Sequence, residues 1–324
     1  MLSIIIPNYN KYDLLQNCIV SILRNECNNI EIIVVDNGSS EKITLNIEDK
    51  RLKIITLNNN EGFSKAVNIG IKQAKGNYIA ILNNDTEVDT YWIKNILKAF
   101  EQNPGIMYLT SKIKSLKNKE LLDDVGDVIL PSGKVYKIGY NERDTGQYGE
   151  PRYIFGASGC ASVYRKEFFE NVGYFDEDFF AYLEDIDISF RANLMGYKCL
   201  YVPDAVVYHV GSATTGSQYN DFTIFHLAQN TINVVTKNYI NKLLIKSIPS
   251  VIIYILALQF FFLFKGGGIA FFKGLISGLQ MNKKMRIKRK KIQEDCLITY
   301  KDISLVLDQN KKYYMLSKKN READ

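Results

Sequence analysis

The chain has 324 residues, 46% of them hydrophobic, enough to bury a sizeable core and to hold one catalytic domain plus an appendage. Lys and Arg number 41 against 35 Asp and Glu, and a formal charge of +6 is too mild to call for a nucleic-acid partner. Five scattered cysteines without a C-x-x-C pair exclude a cysteine zinc site, and two histidines exclude a multi-histidine metal centre.

Residues 3–6, 32–35, 52–57 and 78–82 are short β-branched-rich runs without polar alternation, a pattern that predicts strands covered on both faces. Between them apolar residues recur at helical spacing: Leu14, Leu15, Cys18, Ile19 and Ile22, then Ala66, Ile69, Gly70 and Ala74, then Ile93, Ile96, Leu97 and Phe100. Strand and helix in alternation predict an α/β fold with a mostly parallel central sheet. Residues 112–153 break into turn-rich sequence around Gly126, Pro131-Ser132-Gly133 and Gly146, expected as hairpins and loops covering an acceptor. Order returns with a strand region over 154–164, helices over 166–172 and 184–195, the second ended by Gly196, and two closing strands over 197–202 and 205–210.

Beyond Asn220 the composition shifts. Residues 243–279 are dominated by Ile, Leu, Phe and Gly, and seven Lys and Arg follow between Lys283 and Lys291. The run 248–264 is only just long enough for a bilayer span and contains Pro249 and Gln259, while 269–279 is too short. Basic residues flank both ends, so both flanks favour the cytoplasmic face of a membrane. An interfacial or re-entrant helical hairpin follows, with the cations against anionic headgroups; a packed helical subdomain with a solvated basic tail is the alternative. The expected division is a catalytic domain over 1–220, a membrane-associating helical region over 221–292 and a polar tail over 293–324. Residues 1–6 enter a strand directly, without a secretory signal, which puts the N-terminal part on the cytoplasmic side as an expectation.

In open parallel sheets ligands gather outside the carboxyl ends of strands. Here those ends are polar: Pro7-Asn8-Tyr9-Asn10, Asp36-Asn37-Gly38-Ser39-Ser40 and Asn83-Asn84-Asp85. Neither a dinucleotide fingerprint nor a Walker loop follows the early strands, and residues 211–217 have the glycine spacing of the latter without its Lys. A diphosphate lacking that cradle calls for Mg²⁺ or Mn²⁺, held by one or two oxygen ligands and the phosphates themselves; Asp85 is either placed to hold it or is a turn residue or loop cap ahead of the helix near Trp92. Asp36 is either a turn residue before Asn37-Gly38 or an acceptor for a nucleoside. Glu184 and Asp185 open a helix whose positive end accounts for their charge; as a general base toward a sugar hydroxyl, such a carboxylate needs burial to restore its basicity. Asp187, four residues before Arg191, reads as half of a helix-surface ion pair. His209 is either a satisfied buried histidine or a nitrogen ligand beside Asp85.

Taken in order, these pieces resemble glycosyltransferase family 2, in particular its rhamnosyltransferase-like branch. The likeness covers residues 2–215 and rests on Ile5-Ile6-Pro7-Asn8-Tyr9-Asn10, Val34-Val35-Asp36-Asn37-Gly38-Ser39, Asn60-Glu61-Gly62-Phe63 with Asn68, Leu82-Asn83-Asn84-Asp85, Gly173-Tyr174-Phe175-Asp176-Glu177, Leu183-Glu184-Asp185-Ile186-Asp187 and residues 201–209. The resemblance implies a GT-A fold, a nucleoside-diphosphate sugar donor, a glycan or lipid-linked acceptor, a divalent cation and inversion at the anomeric carbon. By position it implies that Pro7, Tyr9, Asp36, Asn68 and Asn84 line the donor nucleotide site, and that Asp85 and His209 serve the metal. Asp185 would be the base beside Glu184, and Gly156, Ala157, Ser158 and Gly159 the loop facing donor and acceptor. Where many members carry Asp-x-Asp, Asn83 leaves one carboxylate, a form common in the rhamnosyltransferase-like branch. Two other readings remain: a sugar nucleotidyltransferase, which needs a basic glycine-rich loop where only Lys11 stands, and a non-catalytic membrane-bound sugar-binding subunit.

Overall fold

A computed structural model describes residues 1–41, 45–211 and 220–323. The first half runs β1 (Leu2–Asn8), α1 (Tyr12–Leu23), β2 (Ile30–Asp36), β3 (Leu52–Thr56), α2 (Phe63–Gln73), β4 (Tyr78–Leu82), β5 (Thr86–Val88), α3 (Trp92–Gln102) and β6 (Tyr108–Ser115). Short strands follow, β7 (Leu122–Asp124), β8 (Asp127–Ile129), β9 (Val135–Lys137) and β10 (Arg152–Ile154), then β11 (Ala161–Arg165), α4 (Lys166–Val172), α5 (Glu184–Leu194) and β12 (Cys199–His209). Five helices complete the chain: α6 (Asp221–Asn238), α7 (Asn241–Lys265), α8 (Gly268–Gln280), α9 (Asn282–Glu294) and α10 (Tyr300–Ala323).

The main sheet has the order β10-β12-β6-β11-β4-β1-β2-β3, with β5 on β12 and β7 on β6; β8 and β9 form a separate hairpin. Neighbours from β3 to β4 are parallel, as are β6 and β12, and antiparallel β11 joins the two groups. Side chains alternate across the pleat and feed two cores. Ile5, Ile33, Val35, Ile79 and Ile81 pack under α2, whereas Ile4, Ile6, Ile32, Val34, Ala80 and Leu82 pack against α1 and α3. β1 is buried at all seven positions, which is why its sequence lacks polar alternation.

Several expectations change in the folded chain. β3 is not covered on both faces: it is the sheet edge, and Ile54 is 41% exposed. The two closing strands are one, β12, with a register shift between Val202 and Val206 that accommodates Pro203, a residue without an N–H for the ladder. The strand region over 154–164 splits, because residues 155–160 leave the sheet to form a loop. Asp187 and Arg191 are no surface pair. Asp187 is fully buried, since α6 lies across α5, and its carboxylate binds Arg191 at 3.1 Å, Lys237 at 2.7 Å and the Asn238 amide at 2.8 Å. Lys237 also reaches Asp176 at 2.6 Å, and Asp176 in turn binds Lys288 of α9. The segment expected as a polar tail contains α10, whose Ile303 and Leu307 enter the main core and whose Asn310 donates to the Ile129 carbonyl at 2.9 Å.

Among the described residues α7 alone is long and apolar enough to cross a membrane, with a mean hydropathy of 2.1 and 17% of its apolar window buried. It folds back along α6, so that Phe262 meets Ile224 and Ala228 while Phe271 of α8 closes the cluster. The opposite face is bare: Ile253, Phe260, Phe264 and Ile269 are 64–76% exposed.

Removing a partner from a buried ion pair strands the other charge. Asp187→Ala leaves Lys237 and Arg191 facing one another, and should cost about 3–5 kcal/mol in a urea unfolding experiment. A loss below about 1 kcal/mol, the ordinary worth of an exposed pair, would contradict the arrangement.

Candidate functional site

The carboxyl ends of β1, β2 and β4 lie side by side, and their polar side chains form one hydrogen-bonded line. The Asn84 amide donates to Asn8 Oδ1 at 2.6 Å, the Asn8 amide donates to Asp36 Oδ1 at 3.3 Å, and Ser39 donates its hydroxyl to the same oxygen. Asn84, Asn8 and Asp36 are buried, and Tyr9, 36% exposed, stands at the mouth beside buried Pro7. Asn8 carries no role in the sequence reading, yet it links the two side chains that do. Asn68 does not join them. It sits in α2 with both ends of its amide on the Phe175 backbone, at 2.8 and 3.0 Å, and clamps the turn before Asp176.

Asp85, just beyond β4, is 6% exposed, and its Oδ1 lies 3.3 Å from Nε2 of His209 at the end of β12. Pairing of β12 with β5 sets this approach, with His209 opposite Thr86. The other ring nitrogen, Nδ1, is 2.8 Å from Asp123 Oδ2, which fixes the orientation of the imidazole. Burial opposes charge on the ring, but Cys160, Asp123 and Asp85 together hold the imidazolium well above its usual range. The Cys160 thiol is itself pushed up by burial, so near neutral pH the two carboxylates carry that effect.

Asp185 lies in the first turn of α5. Its Oδ2 accepts from the Gly159 N–H at 3.0 Å and its Oδ1 from the Ile186 N–H at 2.7 Å. These bonds and Lys137 favour the carboxylate, yet burial outweighs them and raises its pKa. Glu184 is raised further, by burial and then by Asp185, and its Oε2 is buried without a partner.

The loop over residues 156–160 joins the two halves. Gly156 exchanges two backbone bonds of 3.1 Å with Asp127, and the Ser158 N–H meets Thr110 Oγ1 at 3.2 Å. Gly159 then holds Asp185, while the carbonyl of the next residue, Cys160, accepts from the Asn83 N–H at 3.0 Å, and its thiol lies beside His209. Two consecutive residues thus contact the Asp85 side and the Asp185 side. Gly156 has no space for a side chain, since a Cβ there would lie 2.6 Å from Ser189 Oγ on α5.

The β8–β9 hairpin adds groups that the sequence reading missed. Lys137 lies 3.4 Å from Asp123 and 3.9 Å from Asp124, with 37% of its side chain exposed. Burial, reinforced by Asp123, lifts Asp124 to about 6, and burial with Asp124 and Asp185 raises Asp127 well above the carboxylate range. Three Asp in the five residues 123–127 around Gly126 are the signal that could have marked this turn.

Asp85 offers a carboxylate oxygen to a divalent cation, whereas His209, an imidazolium between two carboxylates, would add a nitrogen only on giving up its Nε2 proton. Among the described residues no group of three or more His, Cys, Asp or Glu encloses a metal, so protein ligands would be confined to this pair. Such sparse ligation suits Mg²⁺ or Mn²⁺ bound largely through phosphates. Residues 212–217 of the glycine-spaced segment lie outside the described residues.

The profile of Glycosyl transferase family 2 matches residues 3–173, just over half of the chain, and that of Glycosyl transferase family group 2 matches residues 145–272. Poly-beta-1,6-N-acetyl-D-glucosamine synthase of Staphylococcus epidermidis is 28% identical over 219 residues, 66% of this chain and 51% of that protein. The Staphylococcus aureus synthase is 26% identical over 255 residues, 78% and 58% of the respective lengths. The chain therefore spans a little over half of the curated relatives it matches. Two solved structures share the fold: a Pyrobaculum calidifontis mannosyltransferase in complex with GDP-Man and Mn²⁺, TM-score 0.52 at 13% identity over 99% of this chain and 84% of that one, and S. aureus TarS 1-349, TM-score 0.51 at 14% identity over 90% of each. The architecture is the GT-A-type α/β fold with its mostly parallel sheet, and the chain belongs to glycosyltransferase family 2.

Proposed function

We propose that the chain is an inverting glycosyltransferase that moves a sugar from a nucleoside-diphosphate donor to a glycan or lipid-linked acceptor in cell-surface polysaccharide synthesis. The observation that supports this reading is the bridge of Gly159 and Cys160: the first bonds Asp185, a raised carboxylate, and the second bonds Asn83 and lies beside His209, the neighbour of Asp85. The line Asn84-Asn8-Asp36 faces the donor nucleoside, with Pro7 and Tyr9 beside it. Asp85, joined by His209 once that ring has released its Nε2 proton, would hold a divalent cation, which would offset the charge of the departing diphosphate. Asp185 takes the proton of the acceptor hydroxyl as that oxygen bonds to the anomeric carbon, and the bond to the diphosphate oxygen breaks on the opposite face. Glu184, protonated by its burial, donates or accepts a hydrogen bond without competing for the proton. Rhamnose is the donor sugar suggested by the single-carboxylate turn Asn83-Asn84-Asp85, with N-acetylglucosamine the competitor raised by the named relatives.

The bare face of α7 and α8 lies in the plane of a membrane on its cytoplasmic side, because both halves of α7 are docked on the protein: Leu243 and Val251 in the main core, Phe262 against α6 and α8. Cutting the chain near Asn241 would also remove α10 from the core and so would not isolate this face. Replacing Ile253, Phe260 and Phe264 with Glu should instead abolish flotation with vesicles while the melting temperature holds. Unchanged flotation would remove the hairpin from the membrane.

Asp185→Asn should spare donor binding, read as Mn²⁺-dependent thermal stabilisation by nucleoside diphosphates, and lower turnover by at least about 100-fold. Near-normal turnover would refute the base assignment, and nucleotidyl rather than glycosyl product would refute the reaction class.

The base must be ionised, so kcat/KM should fall as pH drops through a midpoint above the ordinary Asp value of about 3.9. Lys137 lowers the Asp185 pKa by its charge. Lys137→Met should therefore move the acid limb to higher pH, with Lys137→Arg leaving it in place; an unmoved limb in the Met variant would separate Lys137 from the base.

A further inference from the structure

The cations of α9 divide between two surfaces. Lys284 and Lys288, one turn apart, turn toward the body of the protein, where Lys284 binds Asp178 at 2.6 Å and Lys288 binds both Asp176 and Asp178. Arg286, Arg289 and Lys290 instead line a cleft of about 560 Å³, together with Gln293, Glu294 and Asn241, the first residue of α7. Nothing in the proposed transfer reaction uses this cleft.

Three features of the cleft call for an anion. Arg289 donates from Nη2 to Asn241 Oδ1 at 2.7 Å, but its Nε is buried with no acceptor, and a buried unsatisfied donor on a charged group is costly. Burial and the like charge of Arg286 pull the Arg289 guanidinium below its usual pKa, a conflict that an anion between them would relieve. The first turn of α7 has no side-chain cap, so its open N–H groups add the positive end of a 25-residue helix at Asn241. Glu294 is the single acid among the lining residues and leaves an excess of two positive charges. Two guanidinium forks, an ammonium and a helix N-terminus are the donor set of a phosphate site.

The surroundings say what carries the phosphate. Ile245 and Ile248, one and two turns into α7, are 69% and 45% exposed, and Ile287, between Arg286 and Arg289, is 67% exposed. Apolar side chains exposed on the two helices that form a cationic cleft match a headgroup whose phosphate is joined to a hydrocarbon phase. We propose that the cleft between α9 and the start of α7 binds the phosphate of an anionic lipid headgroup and so anchors the helical hairpin at a defined depth and orientation. The proposal rests on the membrane reading of α7 and α8 and deepens it from a diffuse surface charge to a site.

The test compares two double variants of the full chain with equal loss of charge on one helix: Arg286→Gln with Arg289→Gln inside the cleft, and Lys283→Gln with Lys291→Gln outside it. Flotation is measured with phosphatidylcholine vesicles with and without phosphatidic acid, and matched melting temperatures establish folding. The cleft variant should lose at least about ten-fold more affinity for phosphatidic acid vesicles than the outside variant, the worth of one charge-assisted hydrogen bond. Equal losses would overturn the site and leave surface charge alone. Absence of wild-type flotation on every vesicle would instead defeat the membrane reading, and the lipid source with it. Stabilisation by inorganic phosphate without divalent cation, lost only in the cleft variant and unaccompanied by vesicle binding, would assign the cleft to free phosphate and overturn the lipid assignment.

Discussion

The bond from the Gly159 N–H to Asp185 is the constraint on which the site depends. It ties the start of α5 to a loop that leaves the sheet after β10, and Cys160, the next residue along, is tied to the end of β4. Without it the helix bearing Asp185 and the turn bearing Asp85 would be separate features of one surface. The loop can act as a bridge because it is held at each step, at Gly156 by Asp127 and at Ser158 by Thr110, and because Gly156 lets α5 approach within the space of a single hydrogen atom.

That bridge gathers acids, and their repulsion is managed by two cations. His209 lies between Asp85 and Asp123, and Lys137 between Asp123 and Asp124. Carboxylates that find no such partner respond to burial by keeping their protons, as Asp127 and Glu184 do. The result is a graded set: Asp123 is held down to about 2 by Lys137 and His209 against its burial, Asp124 stands near 6, and Asp185 is raised with its carboxylate still favoured by two backbone donors. A group that must alternate between accepting and releasing a proton is best served at the raised end of that range.

A second ionic assembly joins this chemistry to the C-terminal helices. Asp187, one helical half-turn beyond Asp185, is held by Lys237 of α6; Lys237 reaches Asp176, and Asp176 reaches Lys288 of α9. The orientation of α5 is therefore coupled by short contacts to α6 and to α9, the helix that carries most of the cationic cleft. α10 closes the arrangement from the other side, with Asn310 on β8 and Ser317 accepted by Glu142.

The sequence by itself determined the parallel half of the sheet, because unbroken runs such as 3–6 and 32–35 suit strands covered on both faces, and their helices carry the matching 3.6-residue stripe; that 52–57 is instead the sheet edge was decided by the packing. It also marked the strand-end polar groups Asp36, Asn84 and Asp85, since a hydrophobic strand that stops at an amide or carboxylate is a local pattern. What it could not carry was who meets whom. Asp123 and Lys137 sit in turn-rich sequence with no periodicity, and their value arises only when β7 pairs with β6 and the β8–β9 hairpin brings Lys137 against Asp123 and Asp124. Asn68 looks like a site residue in one dimension and is a clamp in three. Asp187 looks like half of a surface pair until α6 covers it, because burial is a property of what packs above a helix and not of the helix itself. Local spacing decides elements; desolvation, and with it the balance between charge and proton at every acid of the cleft, is decided only by the tertiary packing.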